Sequence, residues 1–124
     1  MDGLRLKCPR TGTPLKRLKV GGVETDVCED CGGLWLDRLE LGRFEAPDSV
    51  LGAALAAHLE QFALVIIDAA VRLRCPRHPD VVMRKRRYGR EVPVAIDECP
   101  ECGGIWLDAD ELVQIRTLRA KPAE

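Results

Sequence analysis

The stretch CGGLWLDRLEL, residues 31–41, decides how this chain is read. It returns at residues 102–112 as CGGIWLDADEL, with changes only at Leu34/Ile105, Arg38/Ala109 and Leu39/Asp110. Upstream the correspondence continues. The first copy runs CPRT from Cys8 and CEDC from Cys28; the second runs CPRH from Cys75 and CPEC from Cys99. Repetition on this scale marks each half as one structural unit. Each unit opens with an alternating segment, LRLKCP or VRLRCP, suited to a short strand running into a turn. A basic hairpin follows, turning at Gly21 and Gly22 in the first copy and near Gly89 in the second. The repeated stretch then closes the unit.

Units this small struggle to bury a sufficient core, and below about 40 residues they usually need a disulfide, a metal or a partner. The chain has 6 cysteines, and three in each half cannot pair within that half. The N-terminus MDGLRLKCPR has no apolar stretch of the signal-peptide kind. No apolar run approaches the roughly 20 residues of a membrane span. The expectation is a cytoplasmic chain without membrane association, in which closely spaced thiols hold metal. Cys75, His78, Cys99 and Cys102 form CxxH and CxxC pairs, a Cys3His set suited to tetrahedral Zn2+. Four protein ligands close the shell, which favours a structural ion. Such an ion contributes on the order of 10–16 kcal/mol in small fingers and can replace a core. The Gly-Gly after each CxxC is expected to supply positive φ, turning amides toward the thiolates.

After each knuckle comes WLDxxEL. Asp37 and Asp108 stand three residues before Glu40 and Glu111, the spacing of a capping box, and predict a short helix in both copies. Trp35 and Trp106 are expected to pack over the knuckle and hairpin rather than to stack on a ligand. The pattern CPxx…CxxCGG[LI]WLDxxEL resembles the TFIIB-type zinc-finger family of small zinc ribbons, over about residues 5–45 and 72–115. The resemblance implies zinc at Cys75, His78, Cys99 and Cys102, and at Cys8, Cys28 and Cys31. Two departures stand out. Leu39 and Asp110 replace a glycine common in that family, which favours the helix, and Thr11 falls where His78 falls in the second copy.

A neutral hydroxyl is a poor zinc ligand, so the first site has three thiolates and an open question. Another side chain, water, a second protein chain or no metal at all can answer it. The other histidine, His58, lies in PDSVLGAALAAHLEQFALVIIDAAV, residues 47–71, which read as a helix capped by Asp48 or Ser49. Leu51, Leu55, His58, Phe62, Val65 and Ala69 share one stripe, so His58 is either a core residue or the tentative fourth ligand of the first site. Asp30 and Glu29 are weaker candidates. Ala53, Ala57, Leu64 and Ile67 make the other side apolar too, pointing to burial between the ribbons or to a homodimer through residues 50–67.

The expected fold is a small metal-bound α+β chain. Two zinc ribbons, residues 1–46 and 72–120, each a β-hairpin with zinc knuckles followed by a short helix, are joined by an apolar α-helix at 47–71, with two Zn2+ per chain. The expected function is a non-enzymatic zinc-binding structural or interaction module, a protein-binding or transcription-related adaptor. One alternative is direct nucleic-acid binding by the second hairpin, where Arg84, Lys85, Arg86, Arg87 and Arg90 surround Tyr88. Against it, such charges commonly form a solvated face or pair with acids such as Glu91, Asp97 and Glu98, and the net charge is −1. A second alternative is redox or catalytic chemistry at the incomplete first site.

Overall fold

The computed structural model of this protein describes residues 6–20, 22–38, 40–44, 48–62, 71–88, 94–109 and 111–119. The first repeat supplies strands β1 (Lys16–Val20), β2 (Val23–Val27) and β3 (Leu34–Leu36), then a 3-10 turn at Leu41–Arg43. Helix α1 (Val50–Leu59) follows. The second repeat supplies β4 (Arg84–Arg87), β5 (Ala95–Glu98), β6 (Ile105–Leu107) and helix α2 (Glu111–Arg119).

All six strands lie in one antiparallel sheet, in the order β1-β2-β3-β6-β5-β4. The two repeats meet directly where β3 pairs with β6, matching Leu34 with Leu107, Trp35 with Trp106 and Leu36 with Ile105. The sequence placed the junction of the two units in a helix; the sheet adds a second, covalently unconnected one. Its order is palindromic, so the strand following each metal knuckle sits at the centre and the hairpins lie outside.

Alternation along LWL and IWL divides the two faces, because successive strand side chains point opposite ways. Leu34, Leu36, Ile105 and Leu107 join Val27 and Ile96 on one face, packed with Phe44, Leu55, Leu112 and Ile115. Trp35 and Trp106 point to the other face, among the cysteines and Leu15, Leu73 and Met83. The sheet therefore separates a helical layer from a layer of two knuckles. Both indoles are fully buried. Area removed from water alone gives about 4–6 kcal/mol for each, as an upper bound.

Helix α1 begins where Ser49 Oγ accepts from Gly52 N at 3.0 Å, one of the two caps expected. Leu55 is buried, with Leu51, His58 and Phe62 half-buried beside it, as the apolar stripe implies. Val65 and Ala69, and residues 63–70 in general, lie outside the described residues, as do Leu64 and Ile67 of the opposite side. Arg116 of α2 donates through Nη1 to Phe44 O (3.0 Å) and Ser49 O (3.3 Å), tying α2 to the start of α1.

Only half of each predicted capping box forms. Glu40 Oε1 accepts from Asp37 N at 2.9 Å and Glu111 Oε1 from Asp108 N at 2.8 Å. The two aspartates direct their carboxylates elsewhere. A regular helix follows in the second copy, whereas the first makes the short 3-10 turn. The difference is local: Gly42 and Pro47 interrupt the first copy, while ELVQIRTLR carries good helix formers in the second.

Candidate metal centres

Sγ of Cys75, Cys99 and Cys102 and a ring nitrogen of His78 all lie within 4.8 Å of one another, and so do the three sulfurs of Cys8, Cys28 and Cys31. The separations suit a shared ion: Cys75 Sγ is 3.9 Å from Cys102 Sγ and 3.8 Å from His78 Nδ1, and Cys8 Sγ is 3.7 Å from Cys31 Sγ. A tetrahedron with zinc–sulfur arms of about 2.3 Å has edges of about 3.8 Å. Both donor sets fit Zn2+.

The backbone builds each knuckle toward its sulfurs. Arg10 N and Thr11 N approach Cys8 Sγ at 3.4 Å, and Glu101 N approaches Cys99 Sγ at 3.3 Å. Gly32 (φ 78°) and Gly103 (φ 77°) take the positive φ expected after CxxC, with Gly32 N donating to Cys28 O and Gly103 N to Cys99 O. The second glycine of each pair has a different task, since a Cβ at Gly33 would overlap the Trp106 ring and one at Gly104 the Trp35 ring.

Without a cation these clusters are costly to charge. Burial pushes the Cys75 thiol up to about 12. The contact between Cys8 and Cys31 lowers the Cys8 thiol to about 5 and pushes that of Cys31 up. One thiolate forms at the expense of its neighbour, whereas a dication lets all three sulfurs ionise together.

Each knuckle also reaches into the opposite repeat. Arg10, two residues after Cys8, donates through Nε to Asp108 Oδ1 (2.6 Å) and through Nη2 to Asp108 Oδ2 (3.0 Å). Arg77, two residues after Cys75, makes the same fork with Asp37, Nη2 lying 2.7 Å from Oδ2. Trp106 Nε1 donates to Asp108 Oδ1 at 2.8 Å and Trp35 Nε1 to Asp37 Oδ1 at 3.1 Å. The Arg77 guanidinium holds the Asp37 carboxyl below its usual range. Sequence reasoning missed Arg10 and Arg77; the signal was CPR standing unchanged in both copies. It took Asp37 and Asp108 for helix caps, and they instead join an indole to the other half's arginine.

The tentative assignment of His58 to the first site is not met. His58 does not join the Cys8, Cys28 and Cys31 group. Its Nδ1 lies 3.2 Å from Gln61 Nε2, its ring meets Phe62 edge-on at 5.4 Å, and its buried Nε2 has no hydrogen-bond partner among the described residues. It sits half-buried on α1, its ring edge against Phe62. Asp30 and Glu29 do not join the group either, and exposed Glu29 pairs with Lys16 at 3.3 Å. Beside the sulfurs stand two hydroxyls: Thr11 Oγ1 and Thr13 Oγ1 are each 3.7 Å from Cys28 Sγ and 2.7 Å from one another.

On the second hairpin, Lys85 meets Asp97 at 2.8 Å, Arg86 meets Glu98 at 2.9 Å and Arg84 meets Glu98 at 3.8 Å. Arg84, Lys85 and Arg86 are thus paired across the strands, whereas exposed Arg87 stands opposite Ala95; Arg90 and Glu91 lie outside the described residues.

Paired knuckles at the base of a hairpin, each with a thiolate-rich donor set, define a zinc ribbon, and this protein contains two. The transcription factor zinc-finger family, TFIIB-type zinc ribbons, matches residues 7–46 and 74–116, and the chain belongs to it. No curated protein and no solved structure matches the chain.

Proposed function

We infer that the chain is a structural interaction module: zinc at both knuckles holds one rigid sheet that presents its surface to a protein partner. An adaptor role connected with transcription accords with the family's name, and we place it in the cytoplasm with no catalytic task. The supporting observation is the reciprocal bridging of Arg10 to Asp108 and Arg77 to Asp37. Each metal knuckle thereby fixes the other repeat, so the ions serve the integrity of the sheet. Pairing of two copies along α1 is one form that partnership takes, since Val50, Ala53, Ala54 and Ala57 face outward.

The alternative, nucleic-acid binding by the basic hairpin, is disfavoured by charge pairing. Phosphate contacts would have to displace Asp97 and Glu98 from Lys85 and Arg86, on a chain whose net charge is −1. Two measurements test the reading. Chelation should abolish the ordered sheet seen by circular dichroism. Fluorescence anisotropy should find no binding to random duplex or single-stranded oligonucleotides at about 0.15 M salt. A sheet that survives removal of both ions sinks the structural reading. Tight binding that is lost on Arg86→Glu with Arg87→Glu establishes the alternative.

A further inference from the structure

The two metal sites are built alike except at one corner, exposed in both, and that corner differs in chemistry. In the second site a ring nitrogen of His78 stands with the three sulfurs as the fourth donor atom. In the first, the corresponding residue is Thr11, exposed at the surface as His78 is, while Cys8, Cys28 and Cys31 are each at most 2 % exposed. Thr11 and Thr13 bring hydroxyls against Cys28 Sγ, and the backbone amides of Arg10 and Thr11 face Cys8 Sγ. Among the described residues no histidine or carboxylate joins the three sulfurs. His58 is held in α1, and Glu29 is paired with Lys16.

The geometry points to the Thr11–Thr13 face of the first site as a docking point that takes an imidazole nitrogen from outside the chain. The chain itself shows which donor suits this set, since the same three thiolates are completed by His78 in the second copy. A neutral nitrogen adds no further negative charge to three sulfurs in a buried setting, whereas a fourth thiolate would. The hydroxyls border the approach and can accept from the incoming ring's N–H, as outer partners of ligating histidines commonly do. No proton changes hands: the neutral ring donates its lone pair and keeps its hydrogen. This deepens the interaction-module reading, with a surface histidine of the partner as the recognised group.

The test uses the full chain loaded with Co2+, whose visible absorption reports the donor set, and free imidazole as the probe. Two equivalents should bind. Adding imidazole should shift the absorption of one equivalent, and Thr11→His should reproduce that shift without the probe and no longer respond to it. Release of one equivalent to a competing chelator should slow in the same variant. Thr11→Cys, a smaller change, serves if Thr11→His does not fold, and should likewise abolish the imidazole response. Wild type that binds two equivalents and ignores imidazole overturns the proposal. So does a response to a small thiol but not to imidazole, or one that appears only in His58→Ala. Binding of a single equivalent overturns it as well, while leaving the second site and the module reading intact.

Discussion

Trp35 and Trp106 lie directly opposite each other across the β3–β6 pair, and each indole covers the second glycine of the other's knuckle. The relation extends across the sheet. Register places Arg17 beside Asp26, Asp26 beside Trp35, Trp106 beside Asp97 and Asp97 beside Lys85. One transverse row thus reads cation, carboxylate, indole, indole, carboxylate, cation, with a salt bridge at either end. The repeats are fitted to one another through side chains that both possess.

Gly33→Ala and Gly104→Ala should therefore destabilise the protein through the opposite repeat, because the added methyl meets a ring with nowhere to move. Overpacking of this kind costs about 1–3 kcal/mol. Urea unfolding of zinc-loaded protein checks it. Unchanged midpoints would mean that the indoles can shift freely. Alanine at Gly42, where a Cβ meets nothing within 4 Å, is the matched control and should be neutral.

The two arginine clamps look alike but differ in burial, and their loss should differ too. Side-chain exposure is 11 % and 7 % for Arg10 and Asp108, against 37 % and 33 % for Arg77 and Asp37. Removing one partner of a buried pair strands the other, at about 3–5 kcal/mol. A solvent-screened pair contributes about 1 kcal/mol or less. Arg10→Ala should thus be far more damaging than Arg77→Ala in thermal unfolding; equal losses would refute the ranking.

Burial pushes the Glu111 carboxyl up to about 8, from an ordinary value of 4.5. The sign follows from proton binding. Between those values the folded chain holds a proton that the unfolded chain has released, so rising pH weakens the fold through this window. Glu111→Gln keeps an oxygen acceptor for Asp108 N and carries no charge. Its stability relative to wild type should grow between pH 6.5 and 8.5, measured as urea midpoints with zinc in excess. Parallel curves would show that Glu111 is already ionised in the fold.

Cys102→Ser removes a ligand from the closed second site and should unfold at least the β4–β6 half. Loss of a zinc equivalent by elemental analysis should accompany loss of near-ultraviolet dichroism from Trp106. Retention of both in the variant would show that the site does not hold the fold.

Much of this was legible from residues alone. The knuckle ligands follow from spacing, because CxxC and CxxH bring their atoms together by local turns. The alternation in LWL fixes two faces without knowledge of either partner. What escaped was everything that crosses between repeats. Nothing in residues 31–41 says that β3 will pair with β6, nor that Asp37 will meet an arginine 40 positions away. Two copies of a motif can sit apart or lie together, and the sequence of one copy is the same in both cases. The clue was redundancy beyond ligation: Arg10 and Arg77, and the second glycines, are repeated although no single knuckle needs them. His58 misled for a related reason, since its place on the stripe fixed a direction but not a distance.

The palindromic strand order leaves β1 and β4 as the two rims of the sheet, each with one row of backbone hydrogen-bonding groups unpaired by any described strand. Those rims read KRLKV and RKRR, the most cationic of the described strands. Lysine and arginine on a rim repel a second rim of the same kind and resist runaway strand addition. In this light the basic hairpins act as bumpers. They let a duplicated β-unit close its inner seam, β3 against β6, while discouraging the same pairing from propagating from molecule to molecule.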